Sequence, residues 1–407
     1  MRNSFYFQPG VPPVSWEDRE TVVRANPQWV QRQPGGLADI ARRLPAVQAH
    51  VWVATSGTSR DTPGRLRWIA LSKDAFLASA RAVNAHVSAS ASDVWAHALP
   101  VFHVGGLGIL ARAWLSGSRV VPAVAERWSA AEFHAVVAQS GATLAALVPS
   151  QVFDLIAAGL HSPPSMRAIV VGGARLEPTL WAAARSLGWP CLPCYGLTET
   201  CSQVATAAPS SLASHEYPAE LPVLSHAEIR ADQDSRLSIR GASLLTCAAE
   251  FDGDDVRASD PKRDGWLETD DSGRLSDVGV EVLGRMSEFV KVLGETVSLR
   301  RVEHQLWCWA EREGLRDIGG FDLGVVGIPH ARLGVELVAA LVAGPDGSEA
   351  RRDALAASLD AYCRDTLLPF ERTQRIAWVD AIPKTPLGKV QRALLARQVG
   401  QQPIPDR

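Results

Sequence analysis

Between Val51 and about Gly196, short apolar runs recur along the chain: VWVA, VWAHALPVF, RVVPAV, TLAALVP, RAIVVGG and CLPCYG. Each is short for a helix and reads as a buried strand. Between them lie stretches with apolar residues at helical spacing. Ser129-x-x-Glu132 is a capping box, followed by Phe133, Val136 and Val137 on one face and a stop near Gly141. PSQVFDLIAAG and EPTLWAAARSLG repeat the pattern, each ending in glycine. Strand–helix alternation at this spacing predicts an α/β fold with a mostly parallel, buried sheet.

After about Ala208 the pattern changes. HAEIRADQDSRLSIRG and WLETDDSGRLSDVGVEVLGR are short strands with polar turns, which predict a small antiparallel β region. Beyond Arg285 follow a helix (LRRVEHQLWCWAER), two strands (GVVGIP, VELVAALVAG), a helix (RRDALAASLDAYCRDTL) and a strand (RIAWVDAIP). These form an α+β unit of about 120 residues, an ordinary domain size. The expected organisation is a large N-terminal domain over 1–284, with parallel α/β sheets plus a small β region, and a C-terminal α+β domain over 285–407.

Composition narrows the function. A net charge of −3 gives no basic field, so no nucleic-acid partner is expected. Met1–Gly10 lacks a positive segment followed by an apolar run, and no stretch approaches the roughly 18 apolar residues of a membrane span. The cytoplasm is the expected location. The six cysteines make no disulfide framework. Cys191-x-x-Cys194 has no second ligand pair at zinc spacing and reads as two small buried residues. Lysine is scarce: Lys73, Lys262, Lys291, Lys384 and Lys389 against 41 basic residues in all. A lysine that survives such a preference for arginine is a candidate for chemistry needing a compact, mobile charge.

Four stretches carry that chemistry. TSGTS (Thr55, Ser56, Gly57, Thr58, Ser59) follows a strand and offers N–H groups and hydroxyls to phosphate oxygens, yet has no lysine. YGLTET spans Tyr195–Thr200; ETDDSGRL is followed by VLGRMSEFVKVLGE; PKTPLGKVQR spans Pro383–Arg392. In this order they resemble the adenylate-forming superfamily: acyl-CoA synthetases, peptide-synthetase adenylation domains and luciferase-like enzymes. The resemblance runs from about Val51 to Leu394.

The resemblance implies roles. The TSGTS loop would close over the ATP β- and γ-phosphates, with Arg65 or Arg67 replacing the family's lysine. Glu199 would hold Mg2+. Gly172, Gly173, Ala174, Tyr195, Gly196 and Thr198 would surround the nucleotide, with Asp271 on the ribose hydroxyls and Arg285 on ribose or phosphate. Lys389 would bridge the acid and the α-phosphate, and Gly294 would let pantetheine pass. Ser287 stands at the hinge, near 285–288, about which the family's C-terminal domain moves; the family usually has Asp or Lys there. The phosphate loop begins earlier than in most members, so the N-terminal domain is expected to be shortened at its N-terminus.

Leu99–Val121 speaks to the acid. The o-succinylbenzoate–CoA ligases of menaquinone biosynthesis carry H-x-S-G-x-x-x-x-x-R here. This chain has His103, Gly106 and Arg112, with Gly105 in place of the serine. His103 would sit where acyl group and thiol meet. A dicarboxylic acid would leave one carboxylate to react and one to be held, with Arg112 shaping or charging that end of the pocket; a structural ion pair is the alternative reading of Arg112. The implied activity is ATP-dependent acid–thiol ligation, through an acyl-adenylate to a CoA thioester, with ATP, Mg2+, CoA and a small carboxylic acid as partners; a homodimer is left open. A free-standing enzyme that loads a carrier protein and a nucleotide-binding relative without turnover are the alternatives.

Overall fold

The computed structural model describes residues 14–30, 36–56, 66–124, 128–252, 255–292, 295–316, 318–330, 333–344, 348–384 and 390–400. Packing divides the chain into two units, Met1–Leu283 and Gly284–Arg407.

The first unit is built on a six-stranded sheet in the order Arg119–Pro122, Val94–His97, Leu144–Leu147, Ala168–Val171, Cys191–Leu197 and Ser202–Thr206. The first five strands are parallel and the last is antiparallel. Alternation along the strands separates two cores. Ala96, Ala145, Leu147, Ile169 and Val171 face the helices Ala130–Ser140, Pro149–Ala157 and Pro178–Ser186 through Phe133, Val152 and Trp181. Trp95, Leu144, Ala146 and Val170 pack instead with Ile109 and Ala113 of the helix Val104–Ser116 and with Leu237 and Ile239. The helix boundaries follow local chemistry. The Ser129 hydroxyl accepts from the Glu132 N–H, and Gly141 closes the helix at φ +65°.

The first apolar run, VWVA, does not join this sheet. It lies in His50–Ser56, which pairs antiparallel with Leu66–Ser72 in a separate five-stranded sheet with Val22–Arg24, Cys247–Asp252 and Asp255–Ser259. The physical reason is burial on both faces. Val51, Val53, Ile69 and Leu71 pack on one side, and Trp52, Ala54, Trp68 and Ala70 on the other. An antiparallel strand buried twice has the continuous apolar run usually left by a parallel one. A third sheet of Ala227–Ala231, Arg236–Gly241, Trp266–Leu275 and Lys262–Arg263 is antiparallel, with Val280–Arg285 beside Trp266–Leu275.

In the second unit, Phe321–His330 and Gly334–Ala343 form a long antiparallel pair, joined in parallel by Arg375–Trp378. Leu299–Arg312 and Glu349–Thr366 pack on it through Val302, Leu306, Trp309 and Leu359. Among the described residues, no helix is long and apolar enough to cross a membrane. Cys191 and Cys194 are unbonded, and burial pushes both thiols up to about 12. Among the described residues, no three His, Cys, Asp or Glu side chains gather as a metal cluster.

Candidate active site

Three neighbouring strands place Thr55, Arg67 and Glu250 side by side, because Thr55 and Glu250 are both register partners of Arg67. Residues directly opposite across a ladder share a face. The Thr55 hydroxyl donates to the Arg67 carbonyl at 3.3 Å. Arg67 Nη1 donates to Glu199 Oε1 at 3.0 Å, and its Nε lies 3.8 Å from Glu250 Oε1. Glu199 sits in the 3-10 turn Thr198–Thr200, which leaves the end of the strand Cys191–Leu197. The Thr200 hydroxyl accepts from the Leu197 N–H at 2.9 Å, and the Glu199 carbonyl accepts from Leu245 N–H at 2.8 Å. The backbone under the carboxylate is thus anchored while its side chain keeps water contact. Arg67 and Glu199 retain 28% and 20% side-chain exposure. A pair this accessible is worth about 0.2–1 kcal/mol and exchanges readily. Gly57, Thr58, Ser59 and Arg65 lie outside the described residues, as does the Ser56 side chain. Arg67, one of the two arginines expected to replace the lysine, is paired with Glu199.

Glu199 fits a hard divalent cation. It is an oxygen donor, partly open to water, and its present partner is already a cation. One carboxylate suffices for magnesium when phosphate oxygens and water complete the shell.

The residues expected around the nucleoside join two sheets. Tyr195 O–H donates to Asp271 Oδ2 at 2.8 Å, and Asp271 is 5% exposed. Asp271 N–H donates to Thr269 Oγ1 at 3.0 Å, and the Thr269 hydroxyl donates to the Leu237 carbonyl at 2.7 Å. The small residues here have packing reasons of their own. A Cβ on Gly196 would come within 2.1 Å of the Ser202 carbonyl oxygen, where the ladder shifts register. One on Gly172 would meet Cys194 Sγ at 2.8 Å, and Gly173 has φ +79°. Ala174 is exposed beside them. Arg285 belongs to the second unit, where its N–H donates to Glu288 Oε2 at 3.2 Å. Ser287 lies in the 3-10 turn Met286–Glu288 of that unit.

The third group stands on the helix Val104–Ser116. His103 is its N-cap residue. Burial lowers the His103 pKa, which favours neutral imidazole. Gly106 is required by contact, since a Cβ there would lie 2.3 Å from the Pro100 carbonyl oxygen. Arg112 is 1% exposed. Its Nη2 donates to Ser202 Oγ at 2.8 Å and to Gln203 Oε1 at 2.7 Å, and the guanidinium stands 5.5 Å over the Trp95 ring. Nε and Nη1 are buried without a protein acceptor. Burial lowers its pKa to about 10, so it remains charged at neutral pH. A Cβ on Gly108 would lie 3.2 Å from Nη2, so that glycine leaves the guanidinium its room.

His97 has a place in this group that the sequence reading did not give it. It is fully buried, and its Nε2–H donates to the Gly106 carbonyl at 3.1 Å, tying the helix to the sheet. It sits inside an apolar run, where a lone polar residue was the available signal. The scarcity of lysine proved a blunter signal. Lys73 pairs with Asp18, Lys262 lies 2.8 Å from Asp260, and Lys384 lies 2.6 Å from Asp322, so these three serve as structural cations. Lys389 and Gly294 lie outside the described residues.

Residues 42–236 match the family described as AMP-binding enzyme, and residues 322–389 match the AMP-binding enzyme C-terminal domain. The chain is 27% identical to the 2-succinylbenzoate–CoA ligase of Listeria monocytogenes over 74% of its length, and 26% identical to that of Bacillus subtilis over 74%. It spans 60% of the length of each of these relatives. Among solved structures, it resembles the o-succinylbenzoate CoA synthetase of B. subtilis in complex with its acyl-adenylate intermediate. There the TM-score is 0.70 and the identity 25%, over 85% of this chain and 68% of the other. The motif order, the two-unit architecture and these matches lead to one assignment: the chain belongs to the AMP-binding enzymes of the adenylate-forming superfamily.

Proposed function

We propose that the protein is an AMP-forming acid–CoA ligase acting on o-succinylbenzoate, in the cytoplasm, as a step of menaquinone biosynthesis. The observation that carries the acid assignment is Arg112. Two of its nitrogens are buried without an acceptor, and no carboxylate pairs with it among the described residues. Such a charge is costly unless an anion completes it. A dicarboxylic acid would bring one carboxylate to Arg112 and leave the other to react. The names of the relatives support the same acid.

In the first step a carboxylate oxygen of the acid attacks the α-phosphorus of ATP, and pyrophosphate leaves. Negative charge builds on the phosphoryl oxygens, and Lys389 stabilises it. Asp271 receives the ribose hydroxyls, and Arg285 meets the ribose or phosphate. Glu199 would hold the magnesium, whose charge would help neutralise the phosphates. In the second step the CoA sulfur attacks the acyl carbon beside His103, gives up its proton, and AMP departs. Ser287 would serve as the hinge between the steps, and Gly294 would give pantetheine room to pass. Positioning and electrostatics carry the rate, since no covalent enzyme intermediate is needed.

The test is an acid panel with CoA-dependent AMP release as readout. Wild-type protein is expected to turn over o-succinylbenzoate well above benzoate or a medium-chain fatty acid, and Arg112→Met to erase that preference. Equal rates across the panel would overturn the acid assignment.

A further inference from the structure

Arg67 has two acidic seats, Glu199 at 3.0 Å and Glu250 at 3.8 Å. Nothing in the reaction above needs Glu250. Its position is nevertheless set by the sheet, as the register partner of Arg67 on Cys247–Asp252. It is also the more exposed of the two acids, with 45% side-chain exposure against 20% for Glu199.

We propose that Arg67 is a partner-exchanging cation and that Glu250 is its positioning residue. Without nucleotide, Arg67 neutralises Glu199 and keeps a divalent cation from settling there. When the metal–nucleotide complex arrives, the metal takes the Glu199 carboxylate, and Arg67 pivots onto Glu250 and the incoming phosphates. The pivot is short because both acids already lie within reach of the same guanidinium, through different nitrogens. Its partial exposure keeps the exchange cheap, whereas a sealed pair would resist it. Divalent cation and nucleotide are therefore expected to bind cooperatively: each weakly alone, both well together. This rests on the assignment of Glu199 as the metal-holding acid.

The experiment uses the full chain and two variants. Mn2+ binding is measured without nucleotide by electron paramagnetic resonance, and ATP binding with and without Mg2+ by calorimetry. In wild-type protein, Mn2+ alone is expected to bind weakly. Arg67→Met should tighten Mn2+ alone by about five-fold or more, because the Glu199 carboxylate then loses the cation that neutralises it. Glu250→Gln should raise the Mg2+ concentration that half-saturates ATP binding and turnover by about three-fold or more, with kcat at saturating Mg2+ little changed. Mn2+ binding unchanged in Arg67→Met, or an unchanged Mg2+ requirement in Glu250→Gln, would overturn the exchange while leaving the ligase reading intact. Failure of the wild-type protein to bind ATP with Mg2+ would instead overturn the ligase reading. A thermal melt of each variant separates these results from loss of folding.

Discussion

At Arg112 the proposed acid-binding role makes different predictions for stability and for substrate. The side chain is sealed from water and holds Ser202 and Gln203, yet two nitrogens lack acceptors. A residue kept only for the fold would do better as a hydrocarbon, since replacing a buried charge by an apolar side chain of similar size is often neutral or stabilising. Arg112→Met is therefore expected to leave the melting temperature equal or higher. It should raise KM for o-succinylbenzoate by about 10- to 100-fold, as removing hydrogen bonds to a charged group of about 1.5–3 kcal/mol requires. Calorimetry and steady-state kinetics check the two halves separately. Tyr195→Phe is the complementary case. It removes one hydrogen bond to the buried Asp271 carboxylate, and both stability and ATP affinity should fall, stability by about 1.5–3 kcal/mol in denaturant titration. His97 adds a pH dependence. Burial lowers its pKa from 6.5 to about 4. Between those values the unfolded chain binds a proton that the folded chain refuses, so stability falls as pH drops from 6.5 towards about 4. Above 6.5 its contribution is constant. His226 is depressed to about 4 as well and acts in the same direction. His97→Gln should flatten part of the acid limb of a stability–pH curve.

At the scale of elements, the turn after the strand Cys191–Leu197 shows why a motif is spelled as it is. Gly196 allows Ser202 and Gln203 to approach at a register shift, and those two residues then receive Arg112. Gly196→Ala must push backbone apart. It should cost at least about 1–3 kcal/mol, and on the proposed assignment it should weaken acid and nucleotide binding together, because this strand pair carries both Tyr195 and the partners of Arg112. Denaturant titration beside binding of ATP and acid tests that joint loss. The same elements show what could be read from sequence. Helix ends were legible, since Ser129, Gly141, Gly159 and Gly188 act locally, through a cap or a positive φ. Sheet membership was not, since VWVA carries no mark of which sheet buries it. The pairing of Val51 with Leu71 is set by burial on both faces and not by any local preference. The motif glycines were legible as positions but not as causes. Gly172 and Gly196 were expected around the nucleotide, yet protein contacts alone already demand a glycine at each.

For the whole molecule, the candidate groups in the first unit come from distant parts of the chain. Arg67, Glu199 and Glu250 meet across two sheets, and Tyr195 reaches Asp271 between sheets. Arg67, Glu199, Tyr195 and Asp271 were visible in the sequence, because they stand in or beside short motifs, whereas no motif marks Glu250. Their mutual pairing was not, because it depends on strand register far along the chain, as in Arg67 with Glu250. The second unit would contribute Lys389 and Arg285, and Lys389→Ala should abolish adenylate formation while leaving ATP binding nearly intact. The central claim is that this chain joins o-succinylbenzoate to CoA. The direct measurement is the mass of the product formed when purified protein is given o-succinylbenzoate, ATP, magnesium and CoA. The account predicts the o-succinylbenzoyl-CoA thioester, dependent on both ATP and CoA. Acyl-adenylate that accumulates without thioester, or no new mass at all, would contradict it.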